Sequence, residues 1–398
     1  MILRRPALTF VNARVVAAGG ATTQTLRMAG GRVAALGGAP LAGDQVVDLE
    51  GAFIYPGLIN AHDHLELDNF PRLKWRERCA NAREWVADFQ PRFKTDPALI
   101  AAMAPRLEER LLIGALKNLL AGVTTVAHHN PLHPALRRTG YPVHVLRHYG
   151  WSHSLLIDGE AAVADAYRRT PRDWPWIIHA AEGTDAEAAG ELGRLDALGC
   201  LGANTVLVHG VGLTAADRAR LLDTGGGLVW CPASNEFMLG ATAEVGELKR
   251  AGRVALGSDS RLSGSRDLLD ELRCAAATGQ ATPPELFRMV TTDAAALLRL
   301  PEAGRLEPGL PADLMVLPAL APDPFETLIL AQRRDVRLVL IQGRPVVAEA
   351  ALRAVFEAMQ IPARPVRLDG RESWLSEAVA RPLARSACQE PGLDLPER

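Results

Sequence analysis

Short apolar runs at residues 8–11, 15–18 and 33–36, each closed by glycine or polar residues, predict a small β sheet at the start of the chain. From Leu99 onward the period lengthens. Leu107, Leu111, Leu112, Ala115, Leu116, Leu119 and Leu120 recur at helical spacing, Gly122 stops them, and the β-branched run 123–126 follows. Further apolar runs at 143–146, 176–178, 206–208, 228–230 and 254–256 alternate with helical stretches such as 161–169 and 215–222. Alternation of this kind over about 250 residues predicts parallel strands joined by crossover helices, and an α/β chain with a (β/α) TIM-like barrel fits that length. After Leu310 short strands return at 314–317, 336–341 and 345–347, with Gly343 turning a hairpin.

The two β-rich ends therefore predict one discontinuous β-sandwich, residues 1–55 with 305–350, around a barrel over 56–304. A tail over 351–398 is expected to pack on the barrel or the sandwich and to fray from Gln389 onward. Seven barrel strands are visible, where a complete barrel has eight. Either 154–157 forms a short fourth strand, or the barrel is abbreviated between Gly150 and Pro175 and lacks one βα unit.

Composition narrows the function classes. In 398 residues, 44 basic side chains against 46 acidic ones leave a net charge of -2, so no broad field favours nucleic acid or anionic lipid. No segment approaches the roughly 20 apolar residues that span a bilayer. Asn12 and Arg14 interrupt the apolar stretch after Arg4 and Arg5 before it could serve as a secretory signal. Five scattered cysteines fit neither a disulfide framework nor a cysteine zinc knuckle, and the expected compartment is the reducing cytoplasm. A small-molecule substrate is the expected partner, with a homo-oligomer left open.

The histidines change the picture most. All 10 fall between His62 and His209, inside the barrel segment. His62-Asp63-His64 closes the run 53–61, and residues two apart at a strand end point to one face. Three more strand ends carry ligand-type residues: His179, His209 and Asp259. Barrel active sites sit at this C-terminal rim. Three histidines and one aspartate make a nitrogen and oxygen shell suited to zinc or another first-row divalent ion.

Six ordered motifs carry a resemblance: Pro-Gly-Leu-Ile-Asn-Ala-His-Asp-His (56–64), Ala-Gly-Val-Thr-Thr-Val (121–126), His-Ala-Ala-Glu (179–182), Val-His-Gly-Val (208–211), Cys-Pro-Ala-Ser-Asn (231–235) and Gly-Ser-Asp-Ser (257–260). With these the chain resembles the amidohydrolase superfamily, close to its metal-dependent deaminase and chlorohydrolase branch. The stretches 307–314 and 341–344 resemble that family's β-sandwich half.

The resemblance implies that His62, His64, His179 and Asp259 bind one divalent ion, zinc first and iron second. It implies that Glu182 shuttles protons and that His209 lies beside the ion and polarises the substrate or orients the hydroxide, so the catalytic set is Glu182, His209 and Asp259. Two-metal relatives commonly use a carboxylated lysine at a strand end. The four lysines here, Lys74, Lys94, Lys117 and Lys249, follow no strand, so one metal is expected. The chemistry is that of a metal-activated water: a divalent ion brings the pKa of bound water to about 7, and a carboxylate then carries its proton to the leaving nitrogen.

Hydrolytic deamination of a small nitrogen heterocycle or amidine is the leading expectation, releasing ammonia from a carbon–nitrogen bond that is not a peptide bond. Hydrolysis of a cyclic amide or a carbon–halogen bond is the alternative within the same site, and a metal-free binding protein the alternative outside enzymes. His128, His129, Trp151, His153 and Asn235 are candidates for substrate contact, Asn235 equally for bracing its own loop. Cys231 has no predicted base to make it a nucleophile.

Overall fold

A computed structural model of the chain describes residues 6–396; the reading of Arg4 and Arg5 and the last two residues of the tail lie outside it. Eight parallel strands form a barrel among the described residues: Leu58–Asp63, Val123–His128, His144–Val145, Gly150–Ser154, Trp176–Ala180, Thr205–His209, Gly227–Trp230 and Val254–Leu256. They lie in two ladders, the first three strands in one and the last five in the other. A bond from Asp259 N to His62 O (3.1 Å) joins the end of the last strand to the end of the first.

The seven-strand count is thereby corrected. The fourth strand is Gly150–Ser154, not 154–157. Ser154 instead caps the helix Leu155–Asp158, its Oγ accepting from Ile157 N (3.2 Å). The shortening lies just before Gly150: residues 146–149 join the third strand straight to the fourth, with no helix between them. Gly-Trp-Ser-His-Ser has little of the apolar content by which a buried parallel strand is recognised.

Side chains alternate along each barrel strand. Ile59, Ala61, Ile177, Val206, Val208, Val229 and Ala255 fill the barrel interior, while Trp176, Ile178, Leu207, Leu228, Trp230, Val254 and Leu256 pack outward against the helices. The helix Leu107–Leu119 runs into the strand Val123–His128 through Gly122, whose φ is +78°. A β-carbon on Gly122 would stand 2.0 Å from the Met315 sulfur, so both the backbone angle and the space demand glycine.

Both chain ends build the second layer. One sheet holds the strands Leu8–Val11, Leu26–Ala29, Arg32–Leu36 and Gln45–Asp48. A nine-stranded sheet interleaves Arg14–Ala17, Gly20–Thr23 and Phe53–Pro56 with six strands from beyond residue 313. Phe53–Pro56 pairs antiparallel with Leu314–Leu317. Ile54, Leu314 and Val316 face the four-stranded sheet, whereas Phe53, Tyr55, Met315 and Leu317 join the barrel core. The centre of the nine-stranded sheet is thus buried on both faces, while its outer strands such as Gly20–Thr23 are partly exposed.

Beyond residue 350 the hairpin Ala363–Leu368 and Arg371–Ser376 extends this sheet around Asp369-Gly370, both at positive φ as a tight hairpin turn requires. The tail is more ordered than its composition suggests. Glu390, predicted to fray, is buried and ion-paired with Arg261 (2.7 Å) and Arg333 (2.5 Å), and Leu393–Asp394 adds an edge strand. No helix of the described residues is long and apolar enough to cross a membrane.

Candidate active site

The parallel ladder brings the C-terminal strand ends to one rim, and the register sets their height: His179 lies opposite Val208, and Ala180 opposite His209. His62 and His64 project to the same side, their rings perpendicular with centroids 4.9 Å apart. Nε2 of His179 is 3.3 Å from Nε2 of His62 and 3.4 Å from Nε2 of His64. Asp259 Oδ1 stands 3.7 Å and 3.8 Å from the same two nitrogens. Ligands about 2.1 Å from a tetrahedral ion are about 3.4 Å apart, so the spacing fits one first-row divalent ion. His62, His179 and His209 form a second triad of converging ligand atoms on the same side.

The outer nitrogens explain why the inner ones converge. His179 Nδ1 donates to the His153 carbonyl (2.9 Å), which leaves its Nε2 unprotonated. His129 Nε2 donates to the Ser152 carbonyl (2.9 Å), so its Nδ1 accepts from His62 Nδ1 (3.3 Å) and frees Nε2 of His62. The Asn130 amide lies 3.2 Å from His64 Nδ1. Burial, reinforced by neighbouring imidazoles, lowers the pKa of His62, His64, His129 and His179. Neutral imidazoles are what a metal needs.

Asp259 has φ +51°, a conformation costing about 1 kcal/mol in an ordinary residue. His209 (φ +74°) and Ala181 (φ +53°) share that feature on the same rim. Asp259 Oδ2 accepts from Ser234 Oγ (2.7 Å) and Ser263 Oγ (2.8 Å), and Oδ1 accepts from Ser260 N (2.8 Å) while facing the imidazoles. Burial opposes its charge, but His62, His64 and His209 outweigh burial and hold the carboxyl well below its usual range.

Glu182 is the opposite case. Burial pushes its carboxyl up to about 7, against the pull of His209, whose Nε2 is 3.6 Å from Oε1. His209 Nδ1 donates to Asn235 Oδ1 (2.8 Å), so Nε2 presents its lone pair to the site. Glu182, His179 and Ser154 line a cavity whose mouth carries Asn81, Arg83 and Glu187. The Arg83–Glu187 pair (2.6 Å) is half-exposed. A third carboxyl, the buried Glu271, is also pushed up to about 7 by burial while accepting from Ala233 N (2.9 Å) in the first turn of the helix Pro232–Leu239, which carries Ser234 and Asn235 where a loop was expected.

The substrate-contact candidates divide. His153 is half-buried with its ring 4.8 Å from that of His179. Trp151 packs edge-on to His129 at 5.6 Å. His129 is buried and stacked on His179 at 4.2 Å, behind the ligand atoms and not before them. His128 turns away to Leu65 N (3.4 Å) and Glu66 (3.7 Å), and Asn235 is buried behind His209. Sequence reasoning missed Asn81, Arg83, Asn130 and the serines on Asp259. Only Asn130 and Ser234 carried a signal, as neighbours of motif residues.

Residues 172–346 match the model of the amidohydrolase family. Over that stretch the chain is similar to the amidohydrolase family. Amidohydrolases of this kind act on carbon–nitrogen bonds other than peptide bonds. The chain is 28% identical to the 5-methylthioadenosine/S-adenosylhomocysteine deaminase of Halobacterium salinarum over 73% of this chain and 79% of that one. It is 25% identical to the enzyme of that name from Nitratidesulfovibrio vulgaris, over 85% and 88%. Among solved structures it superposes on an adenosine deaminase from Xanthomonas campestris with bound zinc (TM-score 0.70, 20% identity, 89% of this chain and 97% of that one). It superposes equally on a variant of the atrazine chlorohydrolase of Arthrobacter aurescens with zinc and atraton (TM-score 0.70, 18% identity, 89% and 99%). These likenesses carry the fold.

Proposed function

We propose that this chain is a hydrolytic deaminase of an adenine-type purine or a related amino-heterocycle. One divalent ion, zinc first, would be held by His62, His64, His179 and Asp259. The observation that carries the reading is Glu182: a buried carboxyl pushed up to about 7, beside His209 and in the same cavity as His179. The ion, when bound, supplies an activated water at neutral pH.

Glu182 does the work that distinguishes deamination. Attack at an amidine carbon makes it tetrahedral, and the exocyclic nitrogen leaves only once protonated. A carboxyl whose pKa lies near the working pH takes the proton from water and returns it to that nitrogen, so ammonia departs. His209, held by Asn235 through Nδ1, turns Nε2 toward Glu182 and the cavity, and once Nε2 has taken up a proton it would donate to the charge that develops at the attacked centre. Loss of a halide needs no such protonation, which favours deamination over dehalogenation.

The names of the curated relatives make 5'-methylthioadenosine and S-adenosylhomocysteine the first compounds to try. We assign the small β unit to residues 1–55 with 305–350, the barrel to 56–304 and a packed tail to 351–398, and we take the enzyme to be cytoplasmic. Zinc-loaded protein incubated with those two compounds, adenosine and a set of amino- and chlorotriazines should release ammonia from an amino-heterocycle. Chloride release, or ring opening without ammonia, would refute the proposal.

A further inference from the structure

One buried cation has no part in the chemistry above. Lys117, on the helix Leu107–Leu119, is fully buried, and its ammonium touches three separate segments of the rim. It donates to Asp68 Oδ1 (2.7 Å), to the Asp259 carbonyl (2.6 Å) and more distantly to Asp63 (3.3 Å), the residue between His62 and His64. Burial works against its charge, and Asp63 and Asp68 more than offset it. Asp68 Oδ1 also accepts from Arg261 N (3.0 Å), and Asp63 Oδ2 accepts from Asn118 (2.7 Å) and Asn60 (3.1 Å).

Asp259 is the residue that most needs holding. Its backbone is left-handed, and its peptide is gripped at both ends, N–H on the His62 carbonyl (3.1 Å) and C=O on Lys117 (2.6 Å). We infer that Lys117 is a positioning residue, whose bond to the Asp259 carbonyl sets the carboxylate of Asp259 opposite the three imidazoles while its charge balances Asp63 and Asp68. The inference rests on the ligand set proposed above. Lys117 touches no ligand atom itself and acts through the backbone of Asp259.

The test separates the donor from the charge. Lys117→Met strands two buried carboxylates, so it is compared with Lys117→Met and Lys117→Gln, each made together with Asp63→Asn and Asp68→Asn. Chelator competition with Zn2+ and Co2+, and the visible d–d spectrum of the Co2+ form, are read beside thermal melting. We expect the neutral Met triple variant to recover the melting temperature lost in Lys117→Met, yet to bind both ions about 10- to 100-fold more weakly than wild type with an altered Co2+ spectrum. The Gln triple variant, which keeps a donor, should regain part of both.

Wild-type affinity and spectrum in the Met triple variant would reduce Lys117 to a counter-charge and overturn the inference. Should the triple variants not fold, Asp63→Asn/Asp68→Asn decides: it keeps Lys117 and should keep the wild-type spectrum, and a changed spectrum there would assign the effect to the carboxylates. Failure of the ligand set is a distinct outcome, read as stoichiometric metal retained in His62→Ala/His64→Ala.

Discussion

Two carboxylates face one another across the same rim and have been driven in opposite directions. Asp259 has both oxygens occupied by hydroxyl and amide donors and looks onto two imidazoles, so it stays ionised. Glu182 is a little less enclosed, with His209 at 3.6 Å as its one ion-pair partner, and burial pushes its carboxyl up to about 7. The same functional group stays an anion where several imidazoles face it and becomes a proton carrier where burial prevails. The imidazoles around each carboxyl decide which of the two it is.

The largest break in that comparison comes from removing the centre toward which Asp259 points. His62→Ala/His64→Ala should lose the metal and all turnover, checked by elemental analysis and an ammonia assay. Next comes Glu182→Gln, which should keep metal occupancy yet lower turnover by roughly 10²- to 10⁴-fold. Its pH profile sharpens the contrast. Glu182 accepts a proton only when ionised, so wild-type kcat/KM should fall as pH drops below about 7, and the glutamine variant should lack that acidic limb. Near-native turnover in Glu182→Gln would remove it as the shuttle and leave Asp259 as the base.

A smaller loss is expected from Asn235→Ala. It deletes the acceptor on His209 Nδ1 (2.8 Å), a bond worth about 1 kcal/mol, and should slow kcat roughly five- to tenfold with the metal unaffected. The smallest effect concerns stability alone. Glu271 resembles Glu182 in being pushed up to about 7 by burial, but it faces the first turn of the helix Pro232–Leu239 and not the cavity. Between pH 4.5 and 7 it is protonated in the folded chain and ionised in the unfolded one, so stability falls as pH rises through that window. Denaturant melts of Glu271→Gln should show that slope flattened, by about 3 kcal/mol at most across the window.

Ligand-type residues were legible because strand ends are legible: an apolar run followed by histidine or aspartate fixes both the element and the rim. The fourth strand was not, because Trp151, His153 and two serines give Gly150–Ser154 the look of a loop. The hairpin around Asp369-Gly370 had its turn signal but was masked by alternating arginine and proline. Lys117 was placed correctly in a helix, yet its burial follows from residues 113–119 being buried on every side, which no single amphipathic stripe announces. The serines on Asp259 come from the helix Pro232–Leu239 and from the turn at Ser263, whose approach depends on the closed barrel, and a linear reading has no access to that.

The nine-stranded sheet bears on how the molecule moves. Because Met315 and Leu317 belong to the barrel core while Leu314 and Val316 belong to the other, the two layers share a wall and not a seam. Swinging one layer from the other would pull packed side chains into water along the whole sheet, so the frame is stiff. Residues 69–105, a segment of short helices and clustered rings, Trp75, Trp85, Phe89 and Phe93 among them, cover that frame and meet the barrel through contacts such as Arg83–Glu187. A wall common to both layers keeps the spacing of the ligand-type side chains at the rim independent of what happens in the segment above them.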